Sequence, residues 1–166
     1  MLHLEVFTDG SVNTQLKVGY GAYLVVSDQS RSPDRLKVEV KIKRFAQTSS
    51  TKLELQTLLW ALDDIITLAN KSDIRLNIYT DSQNIIGLPD RRIGLEQKNY
   101  FSSKNKRLKN YELYKEFYRL TSGITCTFVK VVGHQASSNK DEVDRLFGLV
   151  DKASRRALRA EFQPVL

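Results

Sequence analysis

Asp9 in V-F-T-D-G-S, Glu54 in S-T-K-L-E-L and Asp81 in Y-T-D-S-Q are three acids, each set at the border of a hydrophobic run. Carboxylates gathered around one point repel one another and are costly to strip of water, so a cluster of them calls for divalent cations. Such cations, held by aspartate and glutamate, suit phosphodiester chemistry, because they stabilise both the attacking and the leaving oxygen of an in-line displacement. Singly, each acid also has an ordinary use. Asp9-Gly10 after a strand is a common turn. Thr51-x-x-Glu54 has the form of a capping box, and Asp81 can cap a helix that follows Thr80. The chemistry therefore depends on whether the chain brings the three together.

Leu2, Leu4 and Val6 alternate with His3, Glu5 and Phe7, which predicts a first, central strand ending in a sharp turn at Asp9-Gly10. Residues 20–27 (Y-G-A-Y-L-V-V-S) predict a second strand. Leu36, Val38, Val40 and Ile42 alternate with Lys37, Glu39, Lys41 and Lys43, a third strand with one face in water, as in an antiparallel meander. From Thr51 the period becomes helical, with Leu55, Leu58, Leu59, Leu62, Ile65 and Ile66 recurring at three and four. Glu54 shares a face with Leu58, Ala61 and Ile65, so its carboxylate is expected at the rim of the apolar stripe, aimed at the sheet. Residues 74–80 read as a fourth strand, parallel to the first because a helix separates it from the meander.

A short helix is expected to open at Asp81 and stop before Pro89. Residues 91–119 hold nine basic side chains against Glu96, Glu112 and Glu116, and become helical from about Lys109. A last strand over 125–132 and an amphipathic helix from about Lys140 to Ala160 complete the chain. This order predicts one α/β domain over residues 1–166, a mixed five-stranded sheet with helices on both faces. With strands one and four as parallel neighbours, Asp9 and Asp81 reach adjacent carboxyl ends, where sites in open α/β sheets lie. Glu54, at the start of the crossover helix, leans over the same edge.

The chain of 166 residues carries Lys+Arg 26 against Asp+Glu 19, a net +7 that favours polyanionic partners through counterion release. Cys126 is the sole cysteine, which excludes an internal disulfide framework and a cysteine-based zinc site. The opening L-H-L-E-V-F shows no basic region followed by an apolar run. A cytoplasmic, monomeric protein without a membrane partner is the expectation.

In order and spacing, V-F-T-D-G-S, G-Y-G-A-Y, T-S-S-T-K-L-E-L, Y-T-D-S-Q, K-N-Y-E-L-Y, F-V-K-V-V-G-H and V-D-K-A-S-R resemble type 1 ribonuclease H over nearly the whole chain. The resemblance implies a ribonuclease H-like fold and endonucleolytic cleavage of the RNA strand of RNA–DNA hybrids, leaving 5′-phosphate and 3′-hydroxyl ends. It also implies a four-carboxylate site for two Mg²⁺ ions, with Mn²⁺ as an alternative, in which Asp9, Glu54 and Asp81 look like the first three ligands. For the fourth, Val143-Asp144-Arg145-Leu146 and Val150-Asp151-Lys152-Ala153-Ser154-Arg155 compete. The two aspartates are seven residues apart, roughly 10 Å along a helix, so only one reaches a given ion pair. Small residues at Ala153, Ser154 and Ala157, where the family's last helix packs closely on the sheet, favour Asp151. In the family a histidine at the position of His134 assists proton transfer or product release, which an ordinary pKa near 6.5 suits.

For a hybrid substrate the ribose 2′-hydroxyl across the minor groove must be read, and groups at Gly10, Ser11, Ser50, Thr51 and Gln83 are the expected readers. The basic segment occupies the family's handle position. Arg91, Arg92, Lys104, Lys106 and Arg107 there, with Tyr100, Phe101, Tyr111 and Tyr114 interleaved, are expected on the nucleic-acid backbone. The chain departs from the family at Ser50-Thr51, where many members have paired asparagines, and at V-N-T-Q-L-K-V, where a glycine-rich turn is usual. Its one tryptophan, Trp60, lies outside the handle. Two other readings are a nuclease of this fold acting on a different nucleic acid and a non-catalytic nucleic-acid-binding module. Retention of the acids argues against the module.

Overall fold

Helices cover both faces of the central strand, which is why its middle is apolar on both sides. In the computed structural model, which describes residues 2–27, 39–69, 73–132 and 141–163, that strand is β1 (Leu2–Asn13). It pairs antiparallel with β2 (Val18–Val26), which in turn pairs antiparallel with β3 (Lys41–Ala46). On its other side β1 runs parallel to β4 (Ile74–Thr80), and β4 parallel to β5 (Thr125–Lys130). The sheet order is β3-β2-β1-β4-β5, the mixed five-stranded arrangement expected. Helix α1 (Ser50–Ala69) packs on β1 and β2, with α2 (Gln83–Gln97) and α3 (Tyr111–Thr121) beside it, while α4 (Glu142–Phe162) lies on β1 and β2 from the opposite face.

Two cores result. Leu55, Leu58, Leu62 and Ile65 of α1 bury against Val6, Leu76 and Ile78, and Leu146, Phe147 and Val150 of α4 bury against Phe7, Leu24 and Val26. Among the described residues no helix is long and apolar enough to cross a membrane.

Several boundaries differ from expectation. β1 does not turn at Asp9-Gly10: its pairing with β2 continues through Asp9↔Ala22 and Gly10↔Gly21 to Asn13↔Val18. What ends there is the pairing with β4, whose last partner is Phe7↔Tyr79. The hydrophobic run stops because the strand leaves the core, not because it bends. The real turn follows Asn13 and contains no glycine. The Asn13 Oδ1 accepts from the Gln15 and Leu16 N–H groups at 3.1 Å each, and Lys17 takes the left-handed φ of 56°.

β3 begins at Lys41, later than the alternation suggested. Leu36 and Val38 lie outside the described residues. Its side chains are almost all exposed, as suits an edge strand. Pro89 sits inside α2 rather than beyond its end. It removes one helical donor, and the Tyr118 hydroxyl, donating to the Leu88 carbonyl at 2.6 Å, fastens the helix at that point.

Close approach of α1 to the sheet depends on missing side chains. A Cβ on Gly21 would stand 2.0 Å from the Thr57 Oγ1, and one on Gly19 2.7 Å from the Leu53 Cδ2. Gly21→Ala is therefore expected to push α1 outward and to destabilise by about 1–3 kcal/mol. Thermal unfolding measures it, and an unchanged melting temperature would contradict this tight contact.

Candidate active site

Glu54 occupies the second turn of α1, held over the sheet by the same close packing of Leu53 against Gly10 and Gly19. The helix starts two residues ahead of the expected cap. Ser49 Oγ accepts from the Lys52 N–H at 3.3 Å and the Ser49 carbonyl from the Leu53 N–H at 2.8 Å. The Thr51/Glu54 capping box is thus not what starts α1, and Glu54 Oε2 is buried with no hydrogen-bond partner. Asp81 follows the last residue of β4. It is not the cap of α2 either, since Ser82 fills that position and accepts from the Ile85 N–H at 3.3 Å. Asp9, only 4% exposed, lies mid-strand beside the gap that β4 leaves. Carboxylate oxygens of Asp9, Glu54 and Asp81 all lie within 4.8 Å of one another.

Such crowding shifts protonation. Burial first, then the charges of Glu54 and Asp81 and a hydrogen bond with Asp151, push Asp9 up to about 9, against a hydrogen bond from the Gly10 backbone that pulls it down. Burial, then the charge of Asp81, push Glu54 up to about 8. Near neutral pH the cluster by itself must therefore hold protons. A group of hard oxygen donors with a buried, unsatisfied carboxylate oxygen among them fits Mg²⁺ or Mn²⁺. Cys126 offers no competing chemistry, because burial pushes its thiol up to about 12.

The two competing aspartates of α4 have different surroundings. Asp144 is the third residue of the helix and closes a capping box with Asp141, accepting from the Asp141 N–H at 3.3 Å while Asp141 accepts from its N–H at 2.9 Å. Asp151, two turns on, reaches Asp9 and also pairs with the Arg155 Nε at 3.0 Å. Fully buried Ser154 brings that stretch of α4 against β1, its Oγ 3.2 Å from Ser11 Oγ. Farther along, Glu161 accepts from the Arg44 Nε at 2.6 Å and the Tyr20 hydroxyl at 2.5 Å, which ties the end of α4 to β2 and β3.

The expected substrate readers separate into groups. Ser50, Thr51 and Gln83 are exposed at the two helix starts that flank the acids. Gly10 lies close against Leu53, and the Ser11 hydroxyl shares a hydrogen bond with that of Ser154; both residues are partly exposed. In the basic segment, Arg91 donates to the Asn84 carbonyl and side chain at 3.0 and 2.7 Å, and Arg92 pairs with Glu96 at 2.9 Å. Residues 98–110 form a loop closed by the bridge Phe101↔Arg107, with Lys104 and Lys106 exposed. Arg107 lies 4.4 Å from the Tyr111 ring centre and 5.2 Å from that of Phe101. Tyr100 and Tyr114, expected on the nucleic acid, are only 5% and 8% exposed and belong to the core. His134 lies outside the described residues.

A feature the sequence did not announce is a cleft of about 610 Å³ lined by Lys17, Thr48, Ser49, Lys52, Lys109 and Asn110, with Gln47. Its three lysines come from the β1–β2 turn, the first turn of α1 and the loop before α3. Nothing in their spacing signals that they meet.

A five-stranded mixed sheet of this order, with a buried, a half-buried and an exposed carboxylate gathered where its parallel and antiparallel halves join, is the ribonuclease H-like arrangement. Residues 2–150 match the RNase H family, and the chain belongs to it. Asp151 lies one residue beyond that match. The chain is 29% identical over 147 residues to Ribonuclease HI of Helicobacter pylori, covering 88% of this chain and 91% of that protein. It is 28% identical over 166 residues to Ribonuclease H of Aeromonas salmonicida, covering 98% of each. Among solved structures, LC9-RNase H1, a type 1 RNase H with the type 2 active-site motif, superposes with a TM-score of 0.69 at 16% identity, over 98% of this chain and 74% of that one. The foamy viral protease-reverse transcriptase in complex with dsDNA gives 0.60 at 12% identity, over 93% and 94%. At these identities the two structures share the fold.

Proposed function

We propose that the protein is an endonuclease that hydrolyses the RNA strand of RNA–DNA hybrids, with Asp9, Glu54, Asp81 and Asp151 holding a pair of divalent cations, Mg²⁺ or alternatively Mn²⁺. The observation that carries this is the unsatisfied, buried Glu54 Oε2 beside two further carboxylates. Bound there, the cations would lower the pKa of an attacking water and stabilise the leaving 3′ oxygen. The chain supplies everything else. Strand-held Asp9 and the closely packed start of α1 fix the carboxylates in place, so little reorganisation accompanies reaction. His134 is assigned the auxiliary proton transfer or product release.

Ser50, Thr51 and Gln83 reach the minor groove and its 2′-hydroxyls. The cleft with Lys17, Lys52 and Lys109 suits a backbone phosphate, and Lys104, Lys106 and Arg107 extend the grip along the duplex. Arg91 and Arg92 contribute charge while tied to their own helix. We place the enzyme in the cytoplasm as a monomer.

Labelled hybrid, double-stranded RNA and double-stranded DNA, each incubated with protein and Mg²⁺, test the reading. The RNA strand of the hybrid alone should be cut, leaving 5′-phosphate and 3′-hydroxyl ends. Cutting of another duplex instead would transfer the activity to that substrate, and binding without cutting would leave a non-catalytic module. Separate variants test the fourth acid. Asp151→Asn should lower kcat at least about tenfold, by analogy with loss of groups that orient metal ligands. Asp144→Asn should leave kcat unchanged and cost only about 0.3–1 kcal/mol of stability, because asparagine still accepts from the Asp141 N–H and only a negative charge at the helix start is lost. The opposite pattern would reassign the ligand to Asp144.

A further inference from the structure

Gln83 is the first residue of α2 and stands exposed two positions after Asp81. A primary amide has one accepting and one donating end, so an unconstrained glutamine can present either to a substrate. Here it is constrained. Lys130 ends β5, and its backbone lies level with Thr80, the residue before Asp81. The Lys130 Nζ donates to Gln83 Oε1 at 2.7 Å. An ammonium has three donors and no acceptor, so only the carbonyl end of the amide can face it. The amide NH₂ is then turned away from the lysine, as a donor. Every base pair offers accepting O2 or N3 atoms in the minor groove, and the 2′-oxygen also accepts, so a fixed donor suits a duplex of any sequence.

We propose that Lys130 is a positioning residue that orients Gln83 as a hydrogen-bond donor toward the minor groove of the substrate. The assignment rests on the hybrid reading above and deepens it, because it concerns how the substrate is held and not how the phosphate is hydrolysed. The competing use of an exposed lysine at this edge is a direct phosphate contact, and the two make opposite predictions.

The test is a double-mutant cycle of Lys130→Met and Gln83→Ala, read as hybrid affinity in EDTA and as KM and kcat in Mg²⁺. With the charge-assisted hydrogen bond lost, Lys130→Met should weaken hybrid binding about three- to tenfold, raise KM in parallel and change kcat less than about twofold. Lys130→Arg, which keeps the donor, should restore affinity. The double variant should bind no more weakly than Gln83→Ala alone, and the salt dependence of Lys130→Met should keep the wild-type slope. Additive losses, or a slope reduced by about one counterion, would make Lys130 a phosphate contact and overturn the proposal. Unchanged affinity in Lys130→Met would overturn it as well. A wild type that binds hybrid without cutting it would sink the hydrolase reading, while the binding cycle in EDTA would still decide the role of Lys130.

Discussion

Asp9→Asn is expected to abolish turnover and, in the absence of divalent ions, to raise the melting temperature. Both effects come from one charge. Asp9 is 4% exposed, and its oxygens share a space of 4.8 Å with those of Glu54 and Asp81. Asparagine keeps the shape and can still accept the hydrogen bond from the Gly10 backbone. It loses the negative charge that cations need and that Glu54 and Asp81 repel. Several kcal/mol of transition-state stabilisation go with the ligand, and at 1.36 kcal/mol per decade kcat should fall about 10³-fold or more. The gain in the metal-free protein should be about 1 kcal/mol or more, a rise of about 2–4 °C for each kcal/mol in a domain of this size. Single-turnover cleavage and thermal unfolding in EDTA measure the two. Retained turnover, or a lower melting temperature, would remove Asp9 from the role assigned to it.

The second large effect is the joint dependence of stability on pH and divalent ions. Asp9 rises from 3.8 to about 9 on folding, and Glu54 from 4.5 to about 8. Between those limits the folded protein keeps protons that the unfolded chain has released. Stability therefore falls as pH rises through this window, the penalty being absent below the unfolded values and complete once both groups are ionised in the folded state. Cations favour the ionised carboxylates, so they bind with release of protons and more tightly as pH rises. Saturation at a hundred times Kd adds about 2.7 kcal/mol. The increase in melting temperature produced by a fixed Mg²⁺ concentration should accordingly be larger at pH 9 than at pH 6. Calorimetric titration in buffers of different ionisation enthalpy should detect the released protons near pH 7. Equal shifts at the two pH values, with no proton release, would show that these carboxyls do not hold the ion.

Much of this was legible along the chain. The helical period from Thr51 and the alternation at Leu2, Leu4 and Val6 produced α1 and β1, and the parallel placement of β4 followed from the helix between. Glu54 was expected on the sheet-facing side because Leu58, Ala61 and Ile65 share its face, and the last two of these, like Leu58, are buried. Local signals misled where two explanations wrote the same letters. Asp9-Gly10 reads as a turn, yet strand pairing with β2 carries the backbone four residues past Asp9. S-S-T-K-L-E offers two cap positions, and Ser49, not Thr51, starts the helix. Tyr100 and Tyr114, interleaved in a basic run, were expected on the nucleic-acid backbone but bury in the core.

The amino-acid sequence by itself determined the order of elements and placed three acids at their borders, because periodicity and capping act over a few residues. Only the tertiary structure decided which side chains distant in the chain meet. It set Asp151 beside Asp9 while Asp144 stays in a cap, drew Lys17, Lys52 and Lys109 into one cleft, and turned the Gln83 amide against Lys130. Those proximities depend on strand register and on how close glycines let a helix come to the sheet, which are properties of pairing and packing between segments distant in the chain.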